Sequence, residues 1–165
     1  MAEVFYLLRS FEMLREQLKA ALKTAMIEKD THKISTIRLI LAAVKDRDIA
    51  SRGTGKDGTI SNDDILQLLQ SMIKQRKDSI ALYVKGGRQE LADGEQAEID
   101  IIQSFMPKQM DESEIKSCVE DVIKSTGAAG LKDMGKVMAV LREKFAGQMD
   151  FGQASVAVKA VLAAK

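Results

Sequence analysis

Residues 61–87 read SNDDILQLLQSMIKQRKDSIALYVKGG, and this stretch predicts a long amphipathic helix. Ser61 and Asp64 have the spacing of a capping box, with Asp in place of the more usual Glu. Gly86 and Gly87 end the helix, because glycine tolerates the left-handed conformation that helix ends often adopt. Apolar residues recur at helical spacing along one side: Ile65, Leu68, Leu69, Met72, Ile73, Ile80 and Tyr83.

The same periodicity predicts further helices on both sides of this stretch. We expect them at about 13–29, 32–51, 88–104, 111–126, 132–145 and 151–164. The apolar face of the first helix should consist of Leu14, Leu18, Leu22, Ala25 and Met26. The helix at 88–104 should turn Leu91, Ile99 and Ile102 inward and the paired carboxylates Glu95 and Glu98 outward to solvent. Asp111 and Glu114 form a second cap-like start, and Gly127 ends that helix.

The composition of the 165 residues favours an all-α protein, since apolar residues make up 45% and aromatic residues 4%. One Cys excludes an internal disulfide framework and a Cys-rich zinc site, and one His excludes a His-based metal cluster. We therefore expect no metal and no cofactor. His32 is interpreted as an exposed residue at a helix start, and Cys118 as a small buried hydrophobic residue. The Gly-Thr-Gly-Lys stretch (53–56) lacks the spacing and the preceding strand of a phosphate-binding loop.

Pro107 is the one proline and marks a boundary, because proline cannot continue the interior of a helix. We predict an N-terminal extension (1–12), an N-terminal four-helix domain (13–106) and a small C-terminal three-helix domain (107–165). The apolar run at 4–8 is too short to span a bilayer, and no cleavage site of a signal peptide follows it. These observations predict a cytoplasmic protein without a membrane association.

Charge is distributed unevenly along the chain although the net charge is +1. Residues 74–88 hold five basic residues and one acidic residue, whereas residues 89–121 are rich in acids. Residues 122–165 hold seven basic and three acidic residues. Clustered Lys and Arg side chains can neutralise phosphates, but they are also typical of ordinary solvated helix faces. For Arg76 and Arg88, pairing with the acidic helix at 88–104 is a further alternative.

Several motifs in order resemble the YqeY family over nearly everything from Met13 onward. They are RLILAAVK (38–45), KQRKDSI (74–80), GGRQEL (86–91), Glu98-Ile99, FMPKQM (105–110), KDMGKVM (132–138) and Gly147. The resemblance implies an all-helical protein in two parts. Its second part is similar to the tail domain of GatB, the subunit of a glutamine-dependent amidotransferase whose tail contacts the tRNA body.

The resemblance carries over residue by residue only in part. Gly135 and Met138 match the Gly-x-x-Met pattern of the GatB tail, whereas Gly147 lies about one helical turn farther on than its counterpart. Competing structural roles are close helix packing at Gly135 and core filling at Met138. The cations without an evident packing role are the candidates for nucleic-acid binding: Lys74, Lys77, Lys85, Lys132, Lys136, Arg142 and Lys144.

Three functions remain open at this point. The first is a non-catalytic accessory that binds tRNA or another structured RNA, linked to tRNA-dependent amidation. The second is a protein-interaction module that docks on an aminoacyl-tRNA or amidotransferase complex. The third follows the family label, which is carbon–nitrogen ligase activity with glutamine as amide donor. No nucleophile, base or ATP site can be assigned in the sequence, so we predict no catalytic residue.

Overall fold

The computed structural model describes residues 14–53 and 58–164. Within this part of the chain the protein is all-α, as predicted, with seven α-helices, one short 3₁₀-helix and no strand. The predicted extension (1–12) lies outside the described residues, as do positions 54–56 of the Gly-Thr-Gly-Lys stretch.

The helices begin and end close to the positions that the periodicity predicts. The first four are α1 (Leu14–Glu28), α2 (Thr31–Arg52), α3 (Asn62–Lys85) and α4 (Gln89–Gln103). The others are α5 (Glu112–Thr126), the 3₁₀-helix (Leu131–Asp133), α6 (Met134–Lys144) and α7 (Phe151–Ala163).

Both predicted capping boxes are confirmed. The Ser61 hydroxyl accepts a hydrogen bond from the Asp64 backbone N–H, and the Asp64 carboxylate accepts one from the Ser61 N–H. Asp111 and Glu114 form the same reciprocal pair at the start of α5. The Asp111 carboxylate accepts from the Glu114 N–H and from Ser113, and these bonds lower the pKa of Asp111. At the other end of α5, Gly127 adopts the left-handed conformation with φ of 65°.

The chain divides into two compact units between Phe105 and Met106. We call them unit 1 and unit 2 and describe each by itself. The predicted assignment of two domains, meaning two independently folding parts, stays a prediction. The core of unit 1 includes Leu18, Ile37, Ile40, Ile65, Leu69, Ile99 and Ile102. The core of unit 2 includes Ile115, Val119, Ile123, Val137, Leu141, Met149 and Val158.

Two predicted core positions in unit 1 are wrong. Met26 is 51% exposed and Leu91 is 42% exposed, whereas the neighbouring Ala25 and Ala92 are buried. One residue along a helix is a rotation of about 100°, so only one member of each pair can face inward. In both cases the small alanine occupies the inward position, which leaves the larger side chain at the surface.

A buried carboxylate joins three segments of unit 1, and no local pattern in the sequence predicts it. The Asp48 carboxylate accepts two hydrogen bonds from the Arg15 guanidinium, at 2.7 and 3.0 Å, and a third from the Ile60 backbone N–H at 2.9 Å. It thereby links α1, α2 and the segment before α3. The Arg15 hydrogen bonds lower the pKa of Asp48 despite its burial.

No helix in the described ranges is both long enough and apolar enough to cross a bilayer.

Candidate nucleic-acid interface

The α3 cations lie on one exposed face of unit 1. Lys74, Lys77 and Lys85 are all exposed. At about 100° per residue, they fall within an arc of roughly 80° on the helix. Asp78 lies about 20° beyond the edge of this arc and reduces the local positive charge. Among the described residues, none of the three lysines forms an ion pair.

Arg76 lies on the opposite side of α3 and packs against α4. Its Nε and Nη2 atoms donate to Glu98 Oε2 at 2.9 and 2.7 Å, and Glu95 lies 3.9 Å away. The alternative role of Arg76, pairing with the acidic helix, is therefore confirmed. The expectation that Glu95 and Glu98 are fully solvated is wrong, because both are half-buried beside this arginine. Arg88 is exposed, and within the described ranges it forms no ion pair.

The second set of cations lies in unit 2 on and beside α6. Lys132, in the 3₁₀-helix, is exposed, as are Lys136, Arg142 and Lys144. They do not form one stripe. Arg142 and Lys144 are about 160° apart around α6 and flank the buried face from its two sides. A phosphate backbone would therefore meet the 3₁₀-helix and one flank of α6, not all four cations at once.

Lys136 has a structural contact that sequence reasoning missed. Its Nζ donates to the backbone carbonyl of Thr126 at 3.3 Å, at the C-terminal end of α5. A cation is favourable there because the last carbonyls of a helix carry partial negative charge. The interpretation of Lys136 as a cation without any packing role is thus corrected.

The structural roles predicted for Gly135, Met138 and Pro107 can each be compared with the structure. A Cβ atom built on Gly135 would meet no atom within 4 Å, so the close-packing interpretation of this exposed glycine is wrong. Met138 is 8% exposed and belongs to the core of unit 2. Pro107 is exposed, and its carbonyl accepts a hydrogen bond from the Gln109 side chain.

The FMPKQM motif and Gly147, far apart in sequence, meet in unit 2. The Gln109 side chain also donates to the Gly147 carbonyl, and the Met110 N–H donates to the Gln148 carbonyl at 2.8 Å. Gly147 has a φ of 72°, which favours glycine. The two segments therefore form one structural element.

A surface groove of about 350 Å³ lies beside this element. Its lining residues are Lys108, Gln109, Met110, Glu114, Ser117, Cys118 and Gln148. Cys118 is half-buried and packs against the core with part of its surface. The prediction of a buried hydrophobic residue is therefore only partly right, since the thiol also borders the groove.

His32 and the Cys, Asp and Glu residues are those considered for catalysis or metal binding. His32 is exposed near the start of α2, as predicted, with Asp30 capping the helix through the Lys33 N–H. In the portion that the structure describes, no group of three or more His, Cys, Asp or Glu side chains could hold a metal ion.

Comparison with known proteins gives a consistent family assignment. The family model described as Yqey-like protein matches residues 15–162. A relative from Vanderwaltozyma polyspora, named Altered inheritance of mitochondria protein 41, mitochondrial, is 32% identical over 124 residues, which are 71% of this chain and 64% of the relative.

Proteins of the same name from Lachancea thermotolerans and Saccharomyces cerevisiae (strain YJM789) are 38% and 39% identical over 89 residues. Those alignments cover 54% of this chain and 46% of each relative. The matched part of this chain thus spans about half to two thirds of the length of these relatives.

Proposed function

Because the chain belongs to the Yqey-like protein family, we propose that it is a non-catalytic helical module that binds tRNA or another structured RNA. The observation that supports this best is the set of exposed cations without ion-pair partners among the described residues: Lys74, Lys77, Lys85, Lys132, Arg142 and Lys144. Such side chains are available to neutralise phosphates.

The proposed mode of binding is contact with the sugar-phosphate backbone. The described aromatic side chains, Tyr83, Phe105, Phe145 and Phe151, are all half-buried, so their rings are partly occupied by packing. Lysine and arginine contacts to phosphates position a protein on RNA but do not read its sequence. We therefore expect binding to depend on salt and to differ little between RNA sequences.

The link to amidation rests on the resemblance, stated from the sequence, of residues 107–165 to the tail of GatB. In this proposal the protein is a cytoplasmic accessory that binds a tRNA, or a complex of tRNA with a charging or amidating enzyme. The chemistry is then supplied by that enzyme.

The test is fluorescence anisotropy with labelled bulk tRNA and purified full-length protein at two or more salt concentrations. Two charge-removal variants separate the surfaces: Lys74→Gln/Lys77→Gln/Lys85→Gln in unit 1 and Lys132→Gln/Arg142→Gln/Lys144→Gln in unit 2. Each lysine or arginine that contacts a phosphate should contribute about one unit to the slope of log affinity against log salt. Loss of slope in one variant assigns the contact to that surface.

The matched control is Lys23→Gln/Lys33→Gln/Lys45→Gln, which removes the same charge from α1 and α2. These three side chains form no ion pair among the described residues. If the control weakens tRNA binding as much as both other variants, the effect is due to net charge and the proposed surfaces are excluded. Lys136 is left unchanged, because its substitution would also remove its hydrogen bond to Thr126.

A second candidate is a protein-interaction module, and the exposed apolar side chains favour it. Leu131 and Val156 of unit 2 are 51% and 71% exposed. Recovery of a charging or amidating enzyme in a pulldown that survives nuclease treatment would support this function. Recovery that nuclease abolishes would support the RNA-binding proposal.

The ligase activity of the family label is the weakest candidate. It would require a nucleophile with an adjacent base, and neither can be assigned in the sequence. The test is release of glutamate from glutamine by the purified protein, with a mock purification as control. Release that is absent in the control would support the ligase activity.

A further inference from the structure

The hairpin of α3 and α4 extends beyond the core of unit 1. The buried residues of α3 all lie between Ile65 and Ile73, in the first half of the helix. Lys85 ends the helix about 18 Å further along its axis. In the second half, α3 is joined to α4 by the hydrogen bonds from Arg76 to Glu98. The turn that connects the two helices is therefore the outer end of a helical pair, away from the core.

Aliphatic side chains are exposed around this outer end. In residues 81–91, which we call the hairpin tip, Leu82 is 70% exposed, Val84 53% and Leu91 42%. Leu82 and Val84 lie about 160° apart around α3, and Leu91 belongs to α4. The flat surface of one partner protein would cover Leu82 or Val84 but not both. This arrangement instead favours surroundings that receive the tip from all sides.

The same end of the hairpin carries positive charge. Lys77, Lys85 and Arg88 are exposed, and none of them forms an ion pair among the residues that the structure describes. Apart from the paired Arg76, residues 74–91 hold four cations and two acids. The outer end of the hairpin is therefore both apolar and cationic.

An anionic lipid bilayer matches both properties. Its interfacial zone takes up aliphatic side chains to a depth of about 5–10 Å, and its anionic headgroups attract Lys and Arg. Leu82 lies about 5 Å before the end of α3 and Leu91 about 3 Å beyond the start of α4, so both fall within that depth. We propose that the hairpin tip inserts into the interfacial zone of an anionic bilayer.

The cations are placed to support this insertion. Lys85 and Arg88 belong to the tip, and their long side chains extend to the headgroups while the aliphatic stems stay in the apolar zone. Lys77 lies about 12 Å before the end of α3. An insertion of about 5 Å leaves this lysine within a Debye length, about 8 Å, of the lipid surface.

This inference goes beyond the RNA-binding proposal and does not depend on it. The phosphates of an RNA would account for the exposed cations, but they would not account for the exposed aliphatic side chains of Leu82 and Val84. A tip that enters only the interfacial zone needs no membrane-spanning helix. The proposal therefore replaces the expectation, drawn from the sequence, of a protein without membrane association.

The first experiment is co-sedimentation of the full-length protein, freed of nucleic acid, with vesicles of phosphatidylcholine with or without phosphatidylserine. Lipid is added up to about 1 mM, because even one myristoyl chain binds with an association constant of only about 10⁴ M⁻¹. The bound fraction should rise with the phosphatidylserine content and fall with added salt. Failure to bind the anionic vesicles would overturn the proposal.

The apolar part of the tip is tested by Leu82→Gln/Val84→Gln. We expect this variant to bind anionic vesicles about tenfold more weakly, because aliphatic groups no longer enter the bilayer. The matched control is Ile27→Gln/Leu39→Gln, at positions that are 74% and 51% exposed on α1 and α2. An equal loss in the control would show non-specific apolar adsorption and contradict the proposal. Circular dichroism and melting curves confirm that both variants are folded.

The cationic part of the tip is tested by Lys85→Gln/Arg88→Gln. Two charges fewer at the lipid surface should weaken binding to anionic vesicles about tenfold or more. The control Lys23→Gln/Lys45→Gln removes the same charge from exposed positions of α1 and α2. If both variants lose binding equally, the attraction comes from net charge and the assignment to the tip is wrong.

A tryptophan reporter tests insertion directly, because the chain contains no Trp. With anionic vesicles, the emission of Leu82→Trp should shift to shorter wavelength, and iodide should quench it less. Ile27→Trp should show neither change. Binding without any shift in Leu82→Trp would exclude insertion of the tip.

The RNA-binding proposal is tested separately with the same variant. Leu82→Gln/Val84→Gln should bind labelled tRNA as the wild type does, since phosphate contacts need the cations alone. A wild type that binds vesicles but no tRNA would support insertion and contradict the RNA proposal. A wild type that binds tRNA but no vesicles would show that the tip cations serve RNA and would overturn insertion.

Discussion

Asp48 forms, through its carboxylate, a largely buried ion pair with Arg15 in unit 1. Its side chain is 11% exposed and that of Arg15 is 17% exposed, so the pair is largely removed from water. Ionised aspartate is stable there because three donors point at its two oxygens. Breaking this arrangement leaves a buried cation at Arg15.

We expect Asp48→Asn to lower the free energy of unfolding by about 2 kcal/mol at pH 7, less than for a fully buried pair because both groups retain some exposure. The lowered pKa of Asp48 determines how its contribution to the free energy of unfolding depends on pH. Its stabilisation is complete above the ordinary aspartate pKa of about 3.9 and is lost as the pH falls through the lower folded-state value. Urea unfolding of both proteins between pH 7 and pH 2.5 measures this difference.

The control is Asp46→Asn, an exposed carboxylate half a turn away on the same helix. It should change stability by less than about 0.5 kcal/mol. A difference between wild type and Asp48→Asn that persists unchanged at the lowest pH would contradict the role assigned to the charged pair.

Gly135 offers a second test at the level of one residue. Its neighbourhood is open, and alanine favours helix over glycine. We expect Gly135→Ala to raise the free energy of unfolding by about 0.5 kcal/mol, measured by thermal and urea denaturation. The reverse change Ala139→Gly, at an exposed position of the same helix, should lower it. A loss of stability in Gly135→Ala would mean that the residue has a packing role after all.

The same variant bears on the proposed RNA surface. If RNA approaches the backbone at Gly135, Gly135→Ala should weaken tRNA binding while it stabilises the fold. Unchanged binding would leave Gly135 outside the interface.

At the level of elements, a polar contact between Arg76 and Glu98 joins α3 to α4. Arg76 has a side chain that is only 12% exposed, and it is held between Glu95 and Glu98. We expect Glu98→Gln to lower the free energy of unfolding by about 1–2 kcal/mol, because two charge-assisted hydrogen bonds are weakened.

The comparison variant is Glu90→Gln, which removes the same charge from an exposed position of α4. Urea unfolding measures the free energy of unfolding of both variants. Glu90→Gln should change it little. In an Arg76→Met background, Glu98→Gln should lose most of its effect, since its partner is absent. Equal effects of Glu98→Gln in both backgrounds would exclude the pair as the cause.

The bounds of the elements followed from local signals. The capping boxes at Ser61 and Asp111 and the glycines at 86–87 and 127 act within a few residues, so they could be found in the sequence. The sequence predicted less accurately which face of each helix is buried. Helical spacing placed Met26 inward together with Ala25, and it placed Leu91 inward, yet the residues that are buried at these positions are Ala25 and Ala92.

At the level of the whole molecule, the two compact units predict how the protein unfolds. If unit 1 and unit 2 fold independently, scanning calorimetry should resolve two transitions. Leu69→Ala should lower the transition of unit 1 alone, and Leu141→Ala that of unit 2 alone. Both leucines are fully buried, and such truncations cost about 3–5 kcal/mol. A single transition that both substitutions shift equally would show that the units fold together.

The sequence by itself determined the helical class, the extent of each helix and the family. All of these depend on residues close together along the chain or on an ordered set of motifs. The tertiary structure alone decided which charges are paired. Asp48 meets Arg15 and the Ile60 backbone, and Arg76 meets Glu98, across separations from 12 to 33 residues.

It also decided which apolar residues stay exposed, as Leu82 does in the last turn of α3, and that FMPKQM meets Gly147. The physical reason is that pairing and burial depend on which helix faces pack together. That choice is made by the shapes of many side chains at once, whereas capping and periodicity are properties of one segment.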